Sequence, residues 1–527
     1  MAFLRRNGLA AAVVVVALAA AVAIIFVLLP GGGGPVTVRL SAAPLGVNVA
    51  PWDGVYASGP GADVIQPKLA AAGIRQLRFG GGSYADYYDW QTNTSIGNCL
   101  PGNTRASFTA GCSSPDQLSF GQFSARARAV GAESFVTVNY GSGTPALAAA
   151  WVTAAIHTAG GQVALWEVGN ESYGCYEVNN PLAGAPVRYQ GYQPGTGSSA
   201  GQYQSCPTTK EGPIAGIKTL ATSYAANALP FLRAMKAADP SARLGVPWLL
   251  SVPGAASVSS AWNDTVLGRD ARYVDFVDAH YYPFSFSGAT GGANPTDAQV
   301  LAALPTIAAA AASIKSSLAA HDPGAVFVIG ETAPSSAPTT TACSPVGAVF
   351  AAGDVLSWLA AGAQTVDWWD LNNYGNSGAS CTQPDYGLFT SAPTPAPETA
   401  YYGYLLASAL ARPGAELGVL ATSASASSGS GSGSGSGSDS AGEVLAFQSA
   451  LPGGRHAVAF VNLDTGAGHT ITFTPPSGFA GTLRSSVYAA GSQNDSNSRV
   501  ITGTTSAASA TAGISLPAES VTVLETQ

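Results

Sequence analysis

Runs of apolar residues, five to eight long and ending in a polar residue or glycine, recur along the first four hundred positions. They are Leu45–Ala50, Ile74–Gly80, Ser134–Tyr140, Val163–Gly169, Arg243–Leu250, Phe276–Tyr282, Val326–Gly330 and Thr365–Leu371. Between most of them lie Ala-rich stretches with apolar residues at helical spacing, among them Pro145–Ala159, Ile214–Ala238, Ala302–Ala319 and Gly347–Ala361. Strand and helix alternating eight times predicts parallel βαβ units, and eight such units close into an α/β fold of the (β/α)8 TIM-barrel type. Strands of such a barrel are buried on both faces, which accounts for apolar runs that are nearly continuous. A doubly wound open sheet is the competing topology, but no GxGxxG follows the first strand.

The pattern changes after a last helix near Pro397–Ala411. Alternating segments follow at Glu443–Gln448, His456–Leu463, Thr470–Thr474, Thr482–Tyr488 and Glu519–Leu524, which predicts a C-terminal β-sandwich. The Ser/Gly repeat Ser427–Ser438 has nothing to bury and marks an exposed loop, set at 422–440. The expected domains are therefore a leader and Gly-rich spacer over 1–35, a catalytic barrel over 36–412 and a sandwich over 413–527. Residues 36–44, which hold the short strand Val36–Leu40, pair either into the barrel or with the sandwich.

The N-terminus places the chain. Arg5 and Arg6 precede an uncharged run from Leu9 to Leu29, which Pro30 and Gly31–Gly34 break. About 20 apolar residues suffice to cross a bilayer core, and the positive flank keeps the N-terminus inside. The run reads as an uncleaved signal-anchor, or alternatively as a long cleaved signal peptide. Either way the rest of the chain is expected outside the cytoplasm, secreted or held on the outer face of the membrane. Cys99, Cys112, Cys175, Cys206, Cys343 and Cys381 fit an oxidising compartment, and local pairing (99 with 112, 175 with 206, 343 with 381) is the simplest scheme. No CxxC and no Cys/His cluster at zinc spacing is present, so neither a metal nor a cofactor is expected. With 22 Lys and Arg against 30 Asp and Glu, the chain lacks the basic surplus a nucleic-acid binder needs.

Two glutamates stand where barrel enzymes place their chemistry, at the C-terminal ends of strands. Glu171 ends Leu165-Trp166-Glu167-Val168-Gly169-Asn170-Glu171, the fourth strand, and Glu331 ends Val326-Phe327-Val328-Ile329-Gly330-Glu331, the seventh. A carboxyl pair on either side of a glycosidic bond is the minimum for its hydrolysis, one donating a proton and the other attacking or activating water. A single Glu at a strand end is more often structural; two, on strands four and seven with Asn before one of them, favour catalysis. Glu167 has the same parity as Glu171 and is expected to be a buried, paired core carboxylate. His280 alone reads equally well as a core histidine or a site residue.

The Asn170-Glu171 pair, His280-Tyr281-Tyr282 on the sixth strand and the seventh-strand Glu331 resemble clan A glycoside hydrolases, which are retaining enzymes. Leu77-Arg78-Phe79-Gly80-Gly81 looks like the matching segment of family 79 glucuronidases and heparanase. The Gly169-Asn170-Glu171 turn, the Arg and the C-terminal sandwich look like family 51 arabinofuranosidases. Ser172 stands where many relatives have Pro after the acid/base, and Gly330-Glu331-Thr332 is closer to the heparanase-like pattern than to the Asp-Glu-Trp of family 51. The resemblance implies Glu171 as general acid/base and Glu331 as nucleophile. It further implies that Asn170 holds the sugar 2-hydroxyl, that Tyr282 hydrogen-bonds the nucleophile from the same side of the strand as His280, and that Arg78 lies beneath Glu331 and keeps it ionised.

Aromatic residues crowd the expected mouth: Trp52, Tyr84, Tyr87, Tyr88, Trp90, Tyr140, Tyr173, Tyr176, Tyr281, Trp368, Trp369 and Tyr374. Trp52 and Trp369 are taken as faces for a sugar ring, while Asp53, Asp86, Asp89, Asn139 and Asn372 are candidates for its hydroxyls. Part of this set is expected only to pack the loops. All six cysteines fall in the same loops and are read as staples for them. Arg105, Arg188 and Lys210 are the main loop cations, few for a uronic acid, whose carboxylate wants a positive pocket. The expected activity is thus an exported retaining glycoside hydrolase acting on plant or cell-wall polysaccharide, most like an α-L-arabinofuranosidase. The alternatives are a β-glucuronidase or heparanase-like hydrolase, and a catalytically inactive surface carbohydrate-binding protein.

Overall fold

The computed structural model describes residues 36–527 except 87, 96–114, 175–176, 178–212, 251–255, 285–294, 337–338, 373–384, 393, 426–442 and 494–498. The expected leader over 1–35, the Ser/Gly repeat, Tyr87, Tyr176, Tyr374, the loop cations Arg105, Arg188 and Lys210, and every cysteine except Cys343 lie outside these residues. Cys343 is buried and disulfide-bonded.

Eight parallel strands close into one barrel: β1 (Leu45–Val49), β2 (Gln76–Phe79), β3 (Glu133–Val138), β4 (Val163–Val168), β5 (Leu244–Trp248), β6 (Phe276–Tyr281), β7 (Val326–Thr332) and β8 (Val366–Trp368). Each pairs with its sequence neighbours and β8 returns to β1, the simplest order that right-handed βαβ units can build. The eight predicted runs are the eight strands. Helices follow them at Gly59–Ala71, Phe120–Val130, Pro145–His157, Pro213–Ala238, Ala256–Asp270, Ile307–His321, Val346–Ala360 and Thr399–Ala407. Local chemistry fixes their ends. Ser119 and Gln122 form a capping box and Gly131 closes the same helix in the left-handed region, while Thr144 caps a helix that Pro145 opens. The stretch Asp297–His321 is long and apolar enough to cross a membrane, yet Val300, Leu301, Ile307, Ala311, Ile314 and Leu318 are buried against the barrel.

The sandwich is built from β9 (Glu416–Val419), β10 (Thr422–Ser425), β11 (Val444–Ala450), β12 (His456–Asn462), β13 (His469–Phe473), β14 (Thr482–Ala489), β15 (Ile501–Ser506), β16 (Ile514–Leu516) and β17 (Ser520–Thr526). Its large sheet runs β9-β11-β12-β17-β14-β15 and is extended at β9 by Thr37–Arg39, so the leading strand joins the sandwich. Its small sheet runs β10-β13-β16. The loop expected from 422 begins later, because Thr422–Ser425 pairs antiparallel with β13. Alternation along β12 explains why all but its first residue are buried: Val458 and Phe460 face the sandwich core, while Ala457, Ala459 and Val461 join the core shared with the barrel. Small residues on that outer face let the sheet approach the helix Val346–Ala360, whose own Gly353 lies near Val461.

Candidate active site

Inside the barrel, side chains of one parity form layers. Phe135, Leu165, Phe276 and Val328 make an apolar floor, with the Arg78 guanidinium 5.3 Å above the Phe135 ring. Above this floor the inward residues turn polar. Arg78, fully buried, distributes its fork: Nη1 donates to Asn48 Oδ1 at 2.9 Å and Glu331 Oε1 at 2.8 Å, and Nη2 donates to Glu167 Oε2 at 2.8 Å and Asn170 Oδ1 at 3.0 Å. Its Nε lies 3.5 Å from Asp278 Oδ2. Burial disfavours the guanidinium, but Glu167, Glu331 and Asp278 more than offset this and raise its pKa.

Glu331 reaches the interior through a break in the strand's alternation. Val328 and Gly330 point inward, so an uninterrupted strand would send residue 331 outward. The register between β6 and β7 shifts between Ile329 and Glu331, and this bulge aligns Glu331 with His280. Gly330 is required there: its N–H donates to Asp278 Oδ1 at 2.7 Å, and a Cβ would stand 2.2 Å from Asp278 Oδ2. The Glu331 carboxylate takes Arg78 on Oε1 and the Tyr282 hydroxyl on Oε2 at 2.7 Å, with His280 Nδ1 3.4 Å from Oε2. Burial raises its pKa, and the lowering by His280 and Arg78 does not fully offset this.

Glu171 arrives differently. Strand β4 ends at Val168, and Gly169 turns in the left-handed region at φ 81°, where a Cβ would meet Ser172 Oγ at 2.6 Å. Glu171 itself holds φ 40°, an uncommon conformation for a residue with a side chain, and it occurs here at the rim. Its Oε1 accepts from the Tyr173 hydroxyl at 3.1 Å and lies 2.8 Å from His280 Nδ1. Ligand oxygens of Glu171 and Glu331 and a ring nitrogen of His280 all lie within 4.8 Å of one another. Burial opposes a charged His280, yet Glu331, Asp278 and a hydrogen bond to Glu171 hold its pKa well above 6.5.

Glu167 is buried and paired with Arg78, and the Thr137 hydroxyl also donates to it; burial, then Asp278, push its pKa up to about 8. Trp52 and Trp369 are half-buried and rest against Gly81 and Gly82 after β2, with Trp52 edge-on to Tyr84 at 4.8 Å. The other proposed hydroxyl partners have work within the fold. Asp53 caps the turn Gly54–Ala57, Asn139 holds Ser142, Gly143 and the Tyr88 carbonyl, and Asn372 donates to Phe389 and Thr390. Of the aromatic set, Tyr88, Tyr140 and Trp368 are fully buried and pack the loops.

Asn48, Thr137, Asp278 and Glu177 belong to the network and were not singled out from the sequence. For three of them a signal exists: a polar residue inside an apolar run of a strand buried on both faces must find partners within the barrel. Glu177 lies in a loop and carries no such mark. Among the described residues, three groups have ligand atoms close enough for a metal ion: Glu171, His280 and Glu331; Glu167, Asp278 and His280; and Glu443, Asp464 and His469 in the sandwich. In the two barrel groups a cation would meet the Arg78 guanidinium already seated on Glu331 and Glu167.

The eight-stranded barrel with its sandwich is a fold this chain shares with solved glycoside hydrolases. Among solved structures it is similar to a family 51 α-L-arabinofuranosidase from Bifidobacterium longum, at a TM-score of 0.64 and 15% identity over 93% of this chain and 97% of that one. An α-L-arabinofuranosidase from Thermotoga maritima, determined with arabinose, gives 0.62 and 14% over 93% and 98%. A family 39 β-xylosidase from Caulobacter crescentus gives 0.52 and 14% over 95% and 98%. At these identities the likeness is one of fold. No protein-family model matches the sequence, and no curated protein does.

Proposed function

We propose that this protein is an exported, retaining glycoside hydrolase with Glu331 as nucleophile and Glu171 as general acid/base, acting on plant or cell-wall polysaccharide. The observation that carries the reading is the approach of the two carboxyl groups, whose oxygens lie within 4.8 Å across His280. Retaining enzymes hold their carboxyls roughly 5 to 5.5 Å apart, whereas inverting ones leave about 6.5 to 9.5 Å for a water. Export rests on the arginine-flanked apolar run at the N-terminus.

In the first step a Glu331 oxygen bonds to the anomeric carbon as the glycosidic bond breaks, and Glu171 passes a proton to the departing oxygen. In the second, Glu171 takes a proton from water, the water oxygen bonds to the anomeric carbon, and Glu331 leaves as carboxylate. Arg78 and Tyr282 orient Glu331 and stabilise its charge at 2.8 and 2.7 Å. His280 Nδ1, 2.8 Å from Glu171 Oε1, and the Tyr173 hydroxyl at 3.1 Å orient the acid/base carboxyl. Asn170, anchored by Arg78, faces the sugar 2-hydroxyl.

The sugar that fits best is α-L-arabinofuranose, supported by the fold neighbours and the Gly169-Asn170-Glu171 turn. The second reading, a β-glucuronidase, is favoured by Gly330-Glu331-Thr332 and by Leu77-Arg78-Phe79-Gly80-Gly81. Aryl arabinofuranosides assayed beside aryl glucuronides separate the two. Glu331→Gln and Glu171→Gln should each lose roughly 100-fold or more in kcat, with a first-formed anomer of retained configuration in the wild type. Wild-type turnover in either variant on the active glycoside would remove the assignment, and tight glycan binding without turnover would leave a carbohydrate-binding protein.

A further inference from the structure

Asn170 is gripped from two sides. Its Oδ1 accepts from Arg78 Nη2 at 3.0 Å, and its Nδ2 donates to Glu177 Oε1 at 3.4 Å. The same Glu177 oxygen accepts the Ser83 hydroxyl at 2.6 Å, so the carboxylate ties the turn after β4 to the 3-10 turn Gly82–Asp86 after β2. Glu177 is 1% exposed, and the backbone leads it back under the site through Glu177 N–H to Gly174 carbonyl at 3.1 Å and Gly174 N–H to Glu171 carbonyl at 2.6 Å. Behind it, Asp86 is wholly buried and accepts the Gly141 amide at 3.2 Å and the backbone amide of Asn170. Burial, then the neighbouring Glu177 charge, raises the Asp86 pKa well above the usual range.

An amide held this way has one orientation. Flipping it would set N–H against guanidinium N–H and oxygen against carboxylate oxygen, losing both contacts and adding two repulsions. On the hydrolase reading, the second N–H of Nδ2 is the group that meets the sugar. We infer that Glu177 is a positioning residue: it fixes the Asn170 amide so that a donor, never an acceptor, faces the sugar 2-hydroxyl. This rests on the hydrolase reading above. A donor to that hydroxyl strengthens as charge develops at the anomeric centre, so its loss falls on kcat more than on KM.

The test compares Glu177→Leu and Glu177→Gln on whichever of 4-nitrophenyl α-L-arabinofuranoside or β-D-glucuronide the wild type hydrolyses, and on the 2-deoxy analogue of that substrate. Glu177→Leu should lower kcat roughly 10- to 100-fold on the hydroxylated substrate with KM changed less than about threefold, and change kcat less than about threefold on the 2-deoxy one. Glu177→Gln keeps an oxygen acceptor and should recover most of the loss. In an Asn170→Ala background, Glu177→Leu should add nothing further. Should Glu177→Leu fail to fold, Ser83→Ala removes one anchor of the carboxylate and should show the same discrimination to a smaller degree. Equal losses on both substrates, or no loss on either, overturn the inference. If Glu331→Gln is inactive while Glu177→Leu shows equal losses, the inference alone falls; an active Glu331→Gln removes the hydrolase reading as well.

Discussion

Arg78 is the residue on which most of the site's geometry converges. One fully buried guanidinium serves Asn48, Glu167, Asn170 and Glu331 and lies beside Asp278, so four strands and a turn share a single cation. Replacing it by Met leaves buried carboxylates without their counter-charge, a change that costs about 3 to 5 kcal/mol. Arg78→Met should therefore lower the urea midpoint sharply and abolish turnover. Arg78→Lys keeps the charge but not the fork, so it should recover part of the stability and little of the activity. Glu171 and Glu331 stand out in the sequence as carboxylates at strand ends, His280 reads there equally well as core or site, and Arg78 and Tyr282 are marked by the family resemblance. The sequence did not mark Glu177, because a loop carboxylate has no periodicity to violate and only folding brings it beneath Asn170.

At the scale of the element, the decisive feature is the bulge in β7. The apolar run Val326–Ile329 announces a strand, but its period-two pattern places residue 331 on the outer face. The register shift at Gly330 returns Glu331 to the interior, and Thr332 to the outer face beside Asp354. Gly330→Ala drives a Cβ into Asp278 and should cost about 1 to 3 kcal/mol by overpacking. Because the same change tilts the nucleophile, kcat should fall by roughly 100-fold or more, a disproportion that thermal melting and kinetics measured together will reveal. Strand existence was legible from the sequence because burial on both faces imposes long apolar runs. The bulge was not, since one glycine among apolar residues has several meanings. Likewise Thr422–Ser425 reads as the start of a Ser/Gly loop and becomes a strand only because β13 lies beside it.

The whole molecule carries a set of buried acids whose pKa values are raised, each by burial first: Asp53 to about 7, and Glu167, Asp354 and Asp367 to about 8. A carboxyl that binds its proton more tightly when folded contributes stability that is fully present below its unfolded pKa and is lost as pH rises through the folded value. For Asp354 that window runs from 3.8 to about 8. His280, also raised, acts in the same direction above 6.5. Asp464 is lowered; burial alone would raise it, but hydrogen bonds from Gly466, Ala467 and His469 overcome that, so its contribution is lost only as pH falls below 3.8. The urea midpoint should thus be higher near pH 5 than at pH 8. Asp354→Asn, which keeps an oxygen for the Thr332 hydroxyl, should reduce that difference, and an unchanged slope would show that Asp354 is ionised in the fold.

By itself the sequence determined the eightfold strand and helix alternation, the change to a sandwich and the two glutamates at strands four and seven. All of these follow from short-range rules: apolar burial at a fixed period, caps and turns at their residues, and carboxylates where strands end at the barrel mouth. Tertiary structure decided which polar groups share Arg78, which way Glu331 faces, that the leading strand serves the sandwich, and that Asp53 and Asn139 hold loops together. Those outcomes depend on contacts between segments distant in the chain, where a few tenths of an ångström and a single register shift select among partners that local pattern leaves equivalent.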